Sequence, residues 1–299
     1  MRSLPRCLLL LAFSAATSLA QLKGIVDIHT HGDPDSVPRK IDVLELARLA
    51  KSEGMRAIVL KNHYAPTAQL AYIVRQVVPG IEIYGAIALN RSVGGVNPAA
   101  VEQAAAFKGK YLRIVWMPTF DAENNVRFAR QNRPSVSVSR NGQLLPEVVE
   151  VMKIIAKENI ALATGHSTPA EDLLLVSEAR KIGITKMVVT HPLYAPVGMT
   201  VPQMQEAAKL GAFIELCGNA VLPSAPDNQI RVEDYVKVIR AVGPEHTLLS
   251  SDLGQPANPV HTEGWKQYLA LLRKAGISDG DIDLMARRNP ARLLGLAEK

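Results

Sequence analysis

The chain has 299 residues, 47% hydrophobic and 21% charged, the balance of a globular protein with a sizeable core. Its formal charge of +6 is a modest surplus with no basic block, so neither nucleic acid nor an anionic membrane is the expected partner. Two cysteines, Cys7 and Cys217, exclude a disulfide framework.

The first twenty residues stand apart. Arg2 and Arg6 precede an apolar run from Cys7 to Phe13, and Ser18-Leu19-Ala20 puts small residues where a signal peptidase reads. The pattern predicts a secretory signal peptide over 1–20, too short for a membrane span, followed by one domain over 21–299. The mature protein is then expected in the periplasm or outside the cell, free of the membrane, with Cys217 as its sole cysteine. Nothing in the sequence sets its oligomeric state.

From Lys23 onward, apolar runs alternate with helical patterns. Ile25–His29 leads to Ile41–Ser52, with Val43, Leu44, Ala47 and Ala50 on one face and Gly54 beyond the end. Ala57–Lys61 leads to Ala68–Val78, and Ile81–Leu89 to Pro98–Phe107, where Asn97 before a proline is a natural N-cap. Leu112–Met117 is followed by an irregular stretch, 121–144, and then by Glu147–Lys157. Four further runs, Ile160–Thr164, Met187–Thr190, Ala212–Leu216 and Thr247–Ser250, precede helices expected at Ala170–Lys181, Pro202–Leu210, Val232–Val242 and Thr262–Lys274.

Eight strand-helix units in about 250 residues is the size of a (β/α)8 TIM barrel. An open doubly wound sheet is the competing α/β architecture. The polar residues that follow the runs separate the two, because only a closed ring brings all those strand ends around one point. The stretch 121–144 is an insertion after the fourth strand. Within it, Ser135-Val136-Ser137-Val138-Ser139 before Asn141-Gly142 predicts a small hairpin. Its four arginines, Arg127, Arg130, Arg133 and Arg140, either grip a substrate anion or form a solvated surface.

The chemistry begins at Asp27-Ile28-His29-Thr30-His31. In a strand, residues i and i+2 share a face, so His29 and His31 present two imidazoles together, a good pair for a divalent metal. His166, His191 and Asp252 also follow apolar runs directly, giving five candidate metal ligands on four strand ends. Lys61 ends the second run and His63 lies two residues beyond. Glu215 sits inside the seventh run, where a buried carboxylate needs a partner. His261 lies in the loop after Asp252. Asp27 shares the His29 face if the strand is regular, and would then orient a ligand imidazole.

As a set, Asp27-Ile28-His29-Thr30-His31, His166, His191, Asp252 and the closing Arg288-Asn289-Pro290-Ala291-Arg292-Leu293-Leu294-Gly295 resemble the amidohydrolase superfamily of metal-dependent hydrolases. The resemblance spans Gly24 to Gly295 and leaves no room for the flanking β-sandwich of many amidase members. It implies one or two divalent ions, zinc first among them, on His29, His31, His166, His191 and Asp252, with Asp252 also the proton acceptor. It further implies a small-molecule substrate with an amide, ester, lactone or phosphoester bond, or, in the lyase branch, a carboxylate to be removed. Binuclear relatives bridge their metals with a carboxylated lysine or a glutamate after the fourth strand. Here that strand reads Ile114-Val115-Trp116-Met117-Pro118-Thr119, without either, and Lys61 is the substitute as a metal-bridging carbamate or a charged hydrogen-bonding group. His63, Glu215 and His261 are the remaining substrate-binding candidates.

Overall fold

The computed structural model describes residues 21–224 and 230–297, so the expected signal peptide lies outside the described residues. Eight parallel strands follow one another in chain order: β1 (Val26–Thr30), β2 (Ala57–Leu60), β3 (Glu82–Ala88), β4 (Leu112–Trp116), β5 (Ala161–Ala163), β6 (Met187–Val189), β7 (Phe213–Cys217) and β8 (Thr247–Ser250). The ring closes at its carboxyl end. Asp252 N donates to His29 O at 2.8 Å, and His31 N to Leu253 O at 2.9 Å. The seam of the barrel therefore runs between three of the candidate ligands.

Helices α1 (Val43–Ser52), α2 (Ala68–Val77), α3 (Pro98–Ala106), α4 (Glu123–Phe128), α5 (Pro146–Glu158), α6 (Pro169–Ile182), α7 (Val201–Lys209), α8 (Val232–Val242) and α9 (His261–Lys274) alternate with the strands. Their starts are written in the sequence. The Asp42 carboxylate caps α1 by accepting from Leu44 N and Glu45 N, both at 2.8 Å. Asn97 caps α3, and Thr168 with Glu171 forms a reciprocal capping box on α6. None of the described helices is long and apolar enough to cross a membrane.

Two apolar cores result. One lies between the strands and the helix ring, and the second fills the barrel with Val26, Ile28, Val59, Ile114, Trp116 and Leu248 among others. Leu293 and Leu294 of the C-terminal helical segment, 289–294, plug the amino end of that inner core. The barrel is thus sealed below and polar above, the usual division between a stability face and a chemistry face.

The insertion after β4 has the expected hairpin and one unexpected element. Ser139–Arg140 pairs antiparallel with Gln143–Leu144, and the linking Asn141 and Gly142 both have positive φ, 53° and 75°. Helix α4 stands where an irregular chain was expected. Its six residues are too few for an apolar period to show.

Candidate metal centre

β1 carries a bulge. Asp27 pairs with Ile58 but Thr30 pairs with Leu60, so β1 spends one residue more than β2 over that interval. The extra residue breaks the i, i+2 rule on which Asp27 and His29 were expected to share a face. Asp27 instead lies buried on the helix side, where Oδ1 accepts from His29 N and Ser251 N, both at 3.1 Å. Its Oδ2 accepts from Trp265 Nε1 at 2.7 Å and lies 2.8 Å from His261 Nε2. Asp27 therefore ties β1, β8 and α9 together and orients no ligand imidazole. His261, a substrate-binding candidate by sequence, spends its reach on this carboxylate behind the barrel wall.

The bulge turns His29 inward beside His31. His29 Nε2 lies 3.1 Å from Asp252 Oδ1, and His31 Nε2 lies 2.9 Å from the same oxygen. Lys61, directly after β2, brings Nζ within 2.8 Å of His29 Nε2 and 4.9 Å above the Trp116 ring. The fully buried Trp116 side chain floors the site. Below His29, Glu215 Oε1 lies 3.0 Å from Nδ1 and accepts from Ser250 Oγ at 2.7 Å, while Oε2 accepts from His191 N at 3.2 Å. Both Glu215 oxygens are thus engaged by the protein, and the residue is 0% exposed. Its place is under a candidate ligand, with both oxygens already engaged.

His166 and His191 form the facing wall, with ring centroids 4.9 Å apart and the His191 centroid 6.0 Å from that of His29. Tyr194 packs on both rings. His166 Nδ1 lies 3.1 Å from Asn125 Oδ1, on α4 of the insertion. His166 follows Gly165, whose φ is +71° and where a Cβ would stand 2.4 Å from the Met117 and Pro118 carbonyl oxygens, so no other residue fits. His191 and Asp252 themselves have positive φ, 24° and 48°. Left-handed backbone at non-glycine residues is costly and concentrates at functional sites.

Electrostatics sort these groups. Burial brings His31 and His191 down to about 4 and carries His166 and His63 well below the ordinary imidazole value. Burial also lowers the Lys61 ammonium. For His29, burial works in the same direction, but the charges of Asp252 and Glu215 outweigh it and leave the imidazole raised. Burial opposes ionisation of the two carboxylates, yet the neighbouring imidazoles win, holding Asp252 well below the carboxylate range and Glu215 at about 2.

The donor set fits a divalent metal. With His29 Nδ1–H given to Glu215, its Nε2 is a lone pair that faces the anionic Asp252 Oδ1 across 3.1 Å. Two acceptors at that distance need a cation or a proton beside them, a place that the Lys61 ammonium, 2.8 Å from His29 Nε2, or a divalent ion can fill. Ligand atoms on one zinc ion, at bonds of roughly 2.0–2.1 Å, stand about 3.3 Å apart. His29, His31 and Asp252 offer three atoms within 4.8 Å of one another. Glu215 and Asn219, whose amide donates to Asp252 Oδ2 at 3.0 Å, supply the outer hydrogen bonds that metal ligands normally carry.

Several of these partners were not anticipated from the sequence. Asn90 and Asn219 follow strands, and that position after an apolar run is the only signal that marks them; Asn125 sits in the insertion, where no signal marks it. His63, a substrate candidate, is stacked between His31, at 5.1 Å, and Phe120, at 4.0 Å, so it does stand at the site. Among the insertion's arginines, Arg133 pairs with Asp121 and Arg127 donates to Asn124 Oδ1 at 3.3 Å, so these two brace the insertion itself.

Comparison with known proteins agrees with this geometry at the level of fold. A triple mutant of an organophosphorus hydrolase from Deinococcus radiodurans superposes with a TM-score of 0.60 at 18% identity, over 93% of this chain and 95% of that one. An organophosphate hydrolase engineered from a weak promiscuous lactonase gives 0.61 at 16%, over 93% and 97%. An amidohydrolase from Burkholderia multivorans with bound zinc gives 0.59 at 14%, over 91% and 99%. The fold is thus a single-domain (β/α)8 barrel, shared with these hydrolases. No curated protein matches the chain. The model of a family of unknown function, DUF6282, matches residues 24–215, from the start of β1 to Glu215, and the chain belongs to that family.

Proposed function

We propose that the protein is an exported metal-dependent hydrolase that directs water at an amide, ester, lactone or phosphoester bond of a small molecule. The observation that carries this reading is the convergence of His29 Nε2 and His31 Nε2 on Asp252 Oδ1, at 3.1 and 2.9 Å, at the sealed barrel's polar end. The solved structures that share the fold act, by their names, as organophosphate hydrolases, a lactonase and an amidohydrolase, one of them with zinc. Zinc is the expected ion, held by His29, His31 and Asp252 with His166 and His191 on the facing wall. A second ion with Lys61 as a bridging carbamate is the binuclear form of the same reading.

When bound, a divalent ion supplies a Lewis acid and a water of depressed pKa. The protein's own groups do the rest. Asp252 is held ionised by His29 and His31 and takes the proton of the attacking water; Oδ2, aligned by the Asn219 amide, is the oxygen turned from the imidazoles. Glu215 fixes the His29 tautomer, with the proton on Nδ1 and the lone pair on Nε2. An ammonium at Lys61 would repel the ion, so Lys61 must be neutral or carboxylated when the site is filled.

The test is metal content after dialysis, wild type against the double variant His29→Ala/His31→Ala. Wild-type stoichiometry in that variant refutes the reading. Export rests on residues 1–20, and mass spectrometry of the exported protein should find Gln21 at the amino terminus.

A further inference from the structure

His63 is not among the proposed metal ligands, yet its hydrogen-bond surroundings fix where its proton sits. Asn90, just after β3, is fully buried. Its Oδ1 accepts from two backbone donors, Thr119 N at 2.9 Å and Asp121 N at 3.1 Å, so the amide cannot be flipped. Its Nδ2 therefore points the other way and donates to His63 O at 2.8 Å and to Thr119 Oγ1 at 2.7 Å.

Thr119 is also 0% exposed, and its Oγ1 has two described partners, Asn90 Nδ2 and His63 Nδ1, the latter at 2.9 Å. The first is a donor only. The hydroxyl proton must then go to His63 Nδ1, or remain unsatisfied in a sealed environment. An Nδ1 that accepts carries no hydrogen, so the imidazole is neutral with its proton on Nε2. Among the described residues Nε2 has no hydrogen-bond partner. Stacking between His31 and Phe120 holds the ring in that plane, beside the candidate centre.

We propose that His63 is the hydrogen-bond donor this site offers to a substrate oxygen, its Nε2–H fixed by the relay Asn90, Thr119, His63. The inference rests on the hydrolase reading for its purpose. It narrows the substrate to one whose reacting group carries an oxygen that gains negative charge, a carbonyl or phosphoryl oxygen, as acyl or phosphoryl transfer requires. Asn90 and Thr119 are positioning residues that act through His63.

The tautomer can be read without any substrate. Histidine-labelled, metal-loaded protein is observed by long-range proton–nitrogen correlation, with His63 assigned by its loss in His63→Gln. Wild type should show Nε2 protonated and Nδ1 bare. Thr119→Val, which keeps the shape and removes the hydroxyl, should move His63 toward the Nδ1–H form, and Thr119→Ser should restore it. Inorganic phosphate then serves as the oxyanion probe. It should shift the His63 Nε2 resonance in wild type and bind about tenfold more weakly to His63→Phe, whereas His63→Gln, whose amide can still donate, should stay within about threefold of wild type. A His63 protonated on Nδ1 in wild type overturns the inference, and so does phosphate affinity unchanged in His63→Phe. Loss of the metal reading would appear separately, as absent metal, while leaving the tautomer result standing.

Discussion

The two walls of the site are built from the same residue types in opposite electrostatic settings. On the wall made by β1, β2, β7 and β8, the His29 and His31 rings lie against Asp252, His29 also against Glu215, and Lys61 joins them. On the wall made by the ends of β5 and β6, the His166 and His191 rings meet each other, Tyr194 and the neutral Asn125 amide. Burial is the largest influence on the second wall and outweighs the opposing charge of Asp252, so both its imidazoles are neutral near pH 7. On the first wall His31 is likewise brought down to about 4, and only His29 is raised, because Asp252 and Glu215 lie beside it.

The largest expected break in this contrast is Asp252→Asn. It keeps the shape, the Asn219 contact in part and the fold, but removes the basic carboxylate on which the first wall depends. Loss of a general base typically costs about 10²–10⁴-fold in rate. Turnover of whichever lactone, ester, amide or phosphoester proves to be a substrate should fall by at least that range. Activity retained together with metal would shift the assignment to the lyase branch, where the ion orients a carboxylate and no water is activated.

Lys61→Ala tests the first wall's one cation. If Lys61 bridges as a carbamate, the variant should hold fewer ions per chain, and short carboxylic acids should recover part of its activity. Unchanged stoichiometry would leave Lys61 as a hydrogen-bonding neighbour of His29. Glu215→Gln is expected to be milder, since it removes a charge from beneath His29 without touching a ligand atom. Such outer partners are worth about 10–100-fold in metal affinity, and a metal titration with a competing chelator should find a loss in that range. Equal affinity would mean that Ser250 and the backbone suffice to hold His29.

The second wall does have a carboxyl behind it. Asp172, in the first turn of α6, is fully buried beside Thr164, and burial pushes its pKa well above the carboxylate range. The sign of its effect follows from proton counting. Between the unfolded and folded pKa values the native state holds a proton that the unfolded chain has released, so stability falls as pH rises through that window. Asp172→Asn, neutral throughout, should lose this decline. Its melting temperature relative to wild type should rise from pH 4 toward pH 7. A variant that is less stable than wild type by a constant amount across this range would show that Asp172 is ionised and paired in the native protein.

How much of this was legible beforehand depends on distance along the chain. The alternation of apolar runs with capped helices gave all eight barrel strands their order, because strand and helix periods are local properties. The positions of His29, His31, Lys61, His166, His191 and Asp252 after such runs already placed them at one end of a closed ring. The hairpin at Asn141-Gly142 was equally visible, since positive φ at both positions is written in those two residue types.

What the residues do to one another was decided by the tertiary structure alone. His29 meets Glu215 across 186 residues, and Asp27 meets His261 across 234, pairings that no periodicity reports. The single extra residue of the β1 bulge put His29 on the face opposite Asp27, because a period of two carries no memory past an insertion. Asn90, Asn125 and Asn219 acquire their roles from the same cause. An amide after a strand is unremarkable in sequence, and becomes a fixed donor or acceptor only when the closed barrel sets a histidine, a threonine or a carboxylate within hydrogen-bond reach of it.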